Sequence, residues 1–185
     1  MNLVEEVFSL FDKRGSGAYF GEAVSMTEHA LQAAHFARLA RAPDWLQLAA
    51  LLHDVGHLVV DVPDDIADWV TDARHEATGA DWLAPRFGEK VAAAVRMHVP
   101  AKRYLCATNA AYFSKLSPAS VQTLKLQGGP MSPAEVAAFE SQPHFREAVQ
   151  VRHWDDLGKV AGLSTATLAE HRPLIESLAL ARRAS

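Results

Sequence analysis

Apolar residues recur at helical spacing along most of the chain. Val4, Val7, Phe8, Leu10 and Phe11 make the first such stretch, and Gly15-Ser16-Gly17 ends it. Ala30, Leu31, Ala34, Phe36, Ala37 and Leu39 form the broad face of a second helix, capped by Thr27 and running to Arg41. Pro43 opens a third, Asp44 to Leu52, apolar enough to be buried. His75 opens another, with Ala77, Ala80, Trp82 and Leu83 inside it. Gly88-Glu89 starts the next, with Val91, Ala94, Val95 and Met97 on its face; Pro100 should end it, since proline lacks the N–H a helix needs. Tyr112 to Leu116 has helical character. Ser117-Pro118 and Ser132-Pro133-Ala134-Glu135 are helix-start signatures, with Gly128-Gly129-Pro130 as the break between them. Phe145 to Val151 runs on into Arg152-His153-Trp154-Asp155-Asp156. From about Thr165 to Arg183 the period returns, divided by Pro173. Ala18 to Val24 has no clear period. Val59 to Asp72, with Asp61, Pro63, Asp64, Asp65, Asp68 and Trp69, is the least regular part and reads as a loop or short helix bearing on substrate choice. Neither strand alternation nor an internal repeat occurs. The expectation is an all-α helical bundle, one domain over residues 1–185.

Composition adds limits. The 185 residues carry 49% hydrophobic and 22% charged side chains, as in ordinary globular proteins. A formal charge of −4 leaves no basic footprint, so nucleic acid is not expected as a partner. The single cysteine, Cys106, excludes an internal disulfide and suits a reducing cytoplasm. The first residues lack a secretory pattern, and no uninterrupted apolar run approaches the roughly 18 residues of a membrane span.

Histidine is abundant, nine in all, and its placement carries the chemistry. The run Leu51-Leu52-His53-Asp54-Val55-Gly56-His57 sets an imidazole beside a carboxylate in an apolar frame, where bare polar groups are costly to bury. A metal offsets that cost by taking lone pairs from both. Gly56 fits as the terminator of the preceding helix, in a left-handed backbone. His29 lies in the first turn of one helix, His75 and His98 bracket a helix pair, and Asp155 follows Trp154. Each alone has a bland reading, a histidine satisfied by a carbonyl. As a set, nitrogen and oxygen donors without thiolate suit iron, manganese or zinc. His29, His53, Asp54 and Asp155 could form one metal's shell; His75 and His98 are surplus unless Asp54 bridges to a second. His35, His144, His153 and His171 show no comparable placement.

The H…HD…D order of His29, His53-Asp54 and Asp155 resembles the HD-domain superfamily, all-α proteins that are mostly metal-dependent phosphohydrolases. More specific strings are similar to the small HD-domain oxygenases that cleave carbon–phosphorus bonds. These are Tyr19-Phe20-Gly21-Glu22-Ala23, the Leu51-to-His57 run, His98-Val99-Pro100-Ala101-Lys102-Arg103-Tyr104-Leu105, Gln127-Gly128-Gly129-Pro130-Met131 and Trp154-Asp155. The resemblance covers nearly the whole chain. It implies an HD-domain helical bundle holding two iron ions, Fe(II)/Fe(III), which uses O2 to cleave a small hydroxyphosphonate. It further implies that His29, His53, Asp54 and Asp155 hold one iron, and His75, His98 and the bridging Asp54 the other. Tyr19 would close the second iron's open site until Glu22 meets the cationic end of the substrate. His57, Lys102, Ser120, Thr123, Gln127 and Arg152 would surround the phosphonate and hydroxyl groups. A phosphonate hydroxylase acting upstream is the expected pathway partner.

Local chemistry agrees with that picture. A dianion calls for charge-assisted donors such as Lys102 and Arg152. Ser120, Thr123 and Gln127 have the spacing of one helix face. Two substrates fit, (R)-1-hydroxy-2-(trimethylammonio)ethylphosphonate giving glycine betaine and (R)-2-amino-1-hydroxyethylphosphonate giving glycine. The apolar residues and Trp69 of the Val59-to-Asp72 stretch favour the trimethylated one, whose diffuse charge prefers apolar and aromatic walls. Rival readings are an HD phosphohydrolase, which gives Tyr19 no role, and a metal-stabilised module without turnover.

Overall fold

A largely apolar helix lies at the centre of the bundle. In the computed structural model, which describes residues 2–60 and 75–183, this is α3 (Asp44–Leu51), whose Leu46, Leu48, Ala49, Ala50 and Leu51 are all buried. Such a helix must be enclosed. Around it pack α2 (Met26–Leu39), α6 (Glu89–Thr108), α10 (Phe145–Leu157) and α11 (Arg172–Arg183). Each of its leucines contributes about 1.5–3 kcal/mol by leaving water. The remaining helices are α1 (Leu3–Arg14), α4 (Val55–Val59), α5 (His75–Phe87), α7 (Ala110–Phe113), α8 (Pro118–Leu126) and α9 (Pro133–Glu140). A 3-10 turn, Leu168–His171, precedes α11, so Pro173 stands in the first turn of the second piece. The only β feature among the described residues is the isolated bridge Ala18–Ser25. The fold is all-α.

Several boundaries differ from the sequence reading. Helix α2 is capped by Ser25 and not Thr27: Ser25 Oγ accepts from the Glu28 N–H, and Glu28 returns a bond to the Ser25 N–H. Thr27 is already helical because its N–H is taken by the Gly15 carbonyl, at 2.9 Å. Pro100 does not end α6, which continues to Thr108. An interior proline costs about 3 kcal/mol. Here Val99, Ala101, Lys102 and Leu105 are buried around it, and packing on α5 and α10 outweighs the missing bond. The stretch at Tyr112 is a single turn ending at Phe113, short of Leu116. Gly56 does not terminate a helix either. It lies inside α4 with ordinary backbone angles. What requires glycine there is close approach, because a Cβ would fall under 3.0 Å from both the carbon and the oxygen of the His75 carbonyl. The substrate-choice stretch falls mostly on residues 61–72, outside the described residues; Val59 closes α4 and Val60 follows it, exposed.

Candidate metal centre

Five elements deliver the six residues of the H…HD…D set and its two extra histidines. The Ser25 cap starts α2 so that His29 sits in its first turn. The turn after α3 carries His53 and Asp54; α5 begins at His75, α6 carries His98 and α10 carries Asp155. All six side chains are buried.

The Asp54 carboxylate divides between two histidine pairs. Its Oδ2 lies 3.6 Å from His29 Nε2 and 3.3 Å from His53 Nε2. Its Oδ1 lies 3.3 Å from His75 Nε2 and 3.4 Å from His98 Nε2. Asp155 Oδ1 is 3.5 Å from His29 Nε2, on the first pair's side. Three rings are oriented from behind by carbonyls: His29 Nδ1 on Gly158 O at 2.8 Å, His53 Nδ1 on Ala50 O at 2.8 Å, His98 Nδ1 on Val95 O at 2.6 Å. A carbonyl requires the hydrogen on Nδ1, which leaves each Nε2 as a lone pair directed inward. The Nε2 atoms of His29 and His53 then face each other at 3.0 Å, and those of His75 and His98 at 3.3 Å.

Lone pairs so converged repel unless a metal cation, or a proton on one of the nitrogens, lies between them. Asp54 Oδ2 and Asp155 Oδ1 are buried with no hydrogen-bond donor among the described residues. The titration behaviour shows the same tension. Burial, then the neighbouring His53, depress His29 to about 4. Burial also pushes down on His53, but Asp54 outweighs it and raises that imidazole above its ordinary value. Burial pushes Asp54 up, and His53 overrides it, so the carboxylate stays ionised. Burial works against Asp155 too, and the Arg152 guanidinium overrides it. Two groups of donors, His29/His53/Asp54 and Asp54/His75/His98, each fit one metal ion. The donors are nitrogen and oxygen throughout; Cys106 has no part in either group.

A small cleft of about 40 Å³ opens on this cluster. The residues expected around the substrate, Glu22, His57, Lys102, Ser120, Thr123, Gln127 and Arg152, line it together with Tyr19. The Tyr19 ring stacks on His29 with centroids 3.8 Å apart. Burial, then Asp155 and Asp54, push its phenol well above the usual value, so it stays protonated. His57 stacks on His75 at 4.1 Å. The ammonium of Lys102, buried, donates to Thr123 Oγ1 at 2.7 Å. Arg152 donates from Nη1 to Asp155 Oδ2 at 2.7 Å, from Nη2 to Asp156, and from Nε to the Tyr112 hydroxyl at 3.1 Å.

Sequence reasoning missed Phe20, Tyr112, Asp156 and Lys159. Phe20 has a positive φ of 41° and packs at 4.7 Å on His57. The signal for Lys159 was its place four residues after Asp155, on the same side of a helix that ends between them.

The profile of the HD domain matches residues 26–137, more than half of the chain. The chain belongs to the HD-domain family. It is 45% identical over 175 residues to "Hydroxymethylphosphonate dioxygenase" of Gimesia maris, covering 94% of this chain and 87% of that protein. It is 42% identical over 177 residues to "[1-hydroxy-2-(trimethylamino)ethyl]phosphonate dioxygenase (glycine-betaine-forming)" of Leisingera caerulea, covering 96% of this chain and 90% of that protein. Within its family, therefore, the chain sides with the dioxygenases and is an enzyme. None of its described helices is long and apolar enough to cross a membrane.

Proposed function

We propose that the protein is a diiron oxygenase that cleaves the C–P bond of a small 1-hydroxyphosphonate. The overall change converts hydroxyphosphonate and O2 into a carboxylate, phosphate and a proton, which balances atoms and charge. The observation that carries the reading is the Asp54 carboxylate shared by two histidine pairs beneath a cleft lined with cations and hydroxyls. His29, His53, Asp54 and Asp155 would hold one iron, and Asp54, His75 and His98 the other. When bound, the two irons supply Lewis acidity toward the substrate's hydroxyl and the one-electron chemistry that O2 requires.

The chain's own residues do the rest. Lys102, already on Thr123, offers its ammonium to the phosphonate oxygens, and Ser120 and Gln127 add donors from the same side. Arg152 turns Asp155 so that Oδ2 is held and Oδ1 faces the cluster. Tyr19 keeps its proton on Oη and covers His29 until substrate enters. His57, stacked on His75, walls the opposite side. The buried floor of the cleft holds the reacting groups together.

The substituent on C1 distinguishes the candidate substrates. Glu22 Oε1 is buried without a hydrogen-bond donor among the described residues, and Glu22 lines the same cleft as Tyr19 and Phe20. A carboxylate and aromatic rings in one cleft suit a quaternary ammonium, which cannot donate a hydrogen bond. That favours the trimethylammonio compound, with glycine betaine as product. Hydroxymethylphosphonate is the second reading, and the name of the 45%-identical relative supports it.

The test is to load the protein with iron, add each of the three hydroxyphosphonates without oxygen, then admit O2. Substrate-dependent O2 uptake with stoichiometric phosphate release is expected, with a mixed-valent EPR signal beforehand. Phosphate release from monoesters without O2 would make the protein a phosphohydrolase. Tight metal binding with neither activity would make it a binding module.

A further inference from the structure

We infer that Lys159 is the second cationic anchor for the phosphonate group, paired with Lys102 across the hydroxyl face of α8. The inference rests on the hydroxyphosphonate reading above and assigns Arg152 a different task. Two ammoniums reach the same face from separate elements. Lys102, on α6, donates to Thr123 Oγ1 at 2.7 Å, and Lys159, just beyond α10, donates to Ser120 Oγ at 3.1 Å. Ser120 and Thr123 lie three apart on α8, so the charges sit side by side over one helical turn. Both lysines line the cleft that opens on Asp54 and Asp155.

Arg152 is spent elsewhere. Its guanidinium hydrogen-bonds Asp155, Asp156 and the Tyr112 hydroxyl, so two carboxylates within its reach already balance its one charge. The role this geometry gives it is to orient Asp155. Lys159 differs in that its nearest carboxylates, Asp155 Oδ1 at 3.7 Å and Glu22 Oε1 at 4.0 Å, stand beyond hydrogen-bond length. Among the described residues its ammonium makes one hydrogen bond, to a neutral hydroxyl, though its side chain is only 12% exposed. A buried ammonium with unused donors is costly. A phosphonate, with three oxygens, offers acceptors to both lysines at once and offsets that cost.

The backbone presents Lys159 rigidly. Gly158 O accepts from His29 Nδ1 at 2.8 Å, and Val160 exchanges two bonds with the Gln32 amide, at 2.8 and 2.9 Å. Residues on both sides of Lys159 are thus pinned to α2. Replacing its side chain leaves that clamp in place.

The experiment compares wild type, Lys159→Met and Lys159→Arg as iron-loaded holoproteins, titrated with hydroxymethylphosphonate and with the trimethylammonio compound in the absence of O2. Losing one charge-assisted contact should weaken binding roughly 10- to 100-fold in Lys159→Met. Metal content should match wild type, Lys159→Arg should recover most of the affinity, and KM should change more than kcat once O2 is admitted. Binding by Lys159→Met within twofold of wild type overturns the inference while leaving the hydroxyphosphonate reading intact. Loss of affinity in step with loss of metal also overturns it, since Lys159 would then serve Asp155. A wild-type holoprotein that binds neither phosphonate removes the reading and the anchor together.

Discussion

Replacing Gly56 by alanine tests how tightly the two halves of the cluster are coupled through the backbone. Helix propensity alone predicts a gain, because alanine is favoured over glycine inside a helix by about 1 kcal/mol. The structure predicts the opposite sign. A Cβ at Gly56 would meet the His75 carbonyl carbon at 2.8 Å and the Gly79 nitrogen at 3.0 Å, with the His75 oxygen nearer still. These are backbone atoms, which cannot swing aside as a side chain can. Helices α4 and α5 would have to part, and overpacking of this kind costs about 1–3 kcal/mol, here at the upper end. Net of the propensity gain, about 2 kcal/mol is lost, which in a protein of this size lowers Tm by roughly 4–8 °C. The displacement should also separate His75 from Asp54 while sparing His29 and His53, so one of two metal-binding events weakens. Calorimetric melting of the metal-free protein and anaerobic Fe(II) titration measure the two effects. Gly79→Ala is the graded control: its Cβ meets Gly56 N at 3.1 Å and a Val55 side-chain carbon at 3.3 Å, so the cost should be smaller. A Gly56→Ala protein melting at or above wild type would refute the reasoning.

Other outcomes follow from the same geometry. Asp54→Asn should abolish binding of both metals, whereas Asp155→Asn should weaken only the first; elemental analysis after dialysis distinguishes them, and equal losses would argue against a bridging carboxylate. Tyr19→Phe keeps the ring on His29 but removes the hydroxyl, so O2 consumption without phosphate release should rise; unchanged coupling would rule out the tyrosine as a gate. Metal affinity should fall on acidification. His53 is raised above its ordinary value by Asp54, so below that raised pKa a proton occupies the cluster and must leave when metal binds, while above it no proton competes. Titrations in buffers of differing ionisation heat, over about pH 6 to 8, should show proton release growing toward acid pH, and a pH-independent affinity would contradict this.

Much of the architecture was legible in the order of residues. The all-α class followed from the 3.6-residue period, and α3 read as buried because most of its residues are apolar. The donor set was legible too, since histidines and aspartates stand out on apolar helices. Where local and long-range forces disagreed, the local reading failed. Pro100 carries a strong breaking preference, yet packing of α6 between α5 and α10 overrides it. Gly56 was read for its backbone freedom, although its requirement is the nearness of His75, nineteen residues away in the chain. Thr27 lost the cap to Ser25 as its N–H donates to the Gly15 carbonyl.

By itself, then, the order of residues determined the helices, the central buried segment and the chemical nature of the donors, because periodicity and side-chain type are local properties. Only the tertiary structure decided that Asp54 turns one oxygen to each histidine pair, that Arg152 is taken up by Asp155 and Asp156, and that Lys159 lies over Ser120. These depend on where helices far apart in the chain come to rest. That is settled by the packing of the whole core, and no short stretch of sequence contains it.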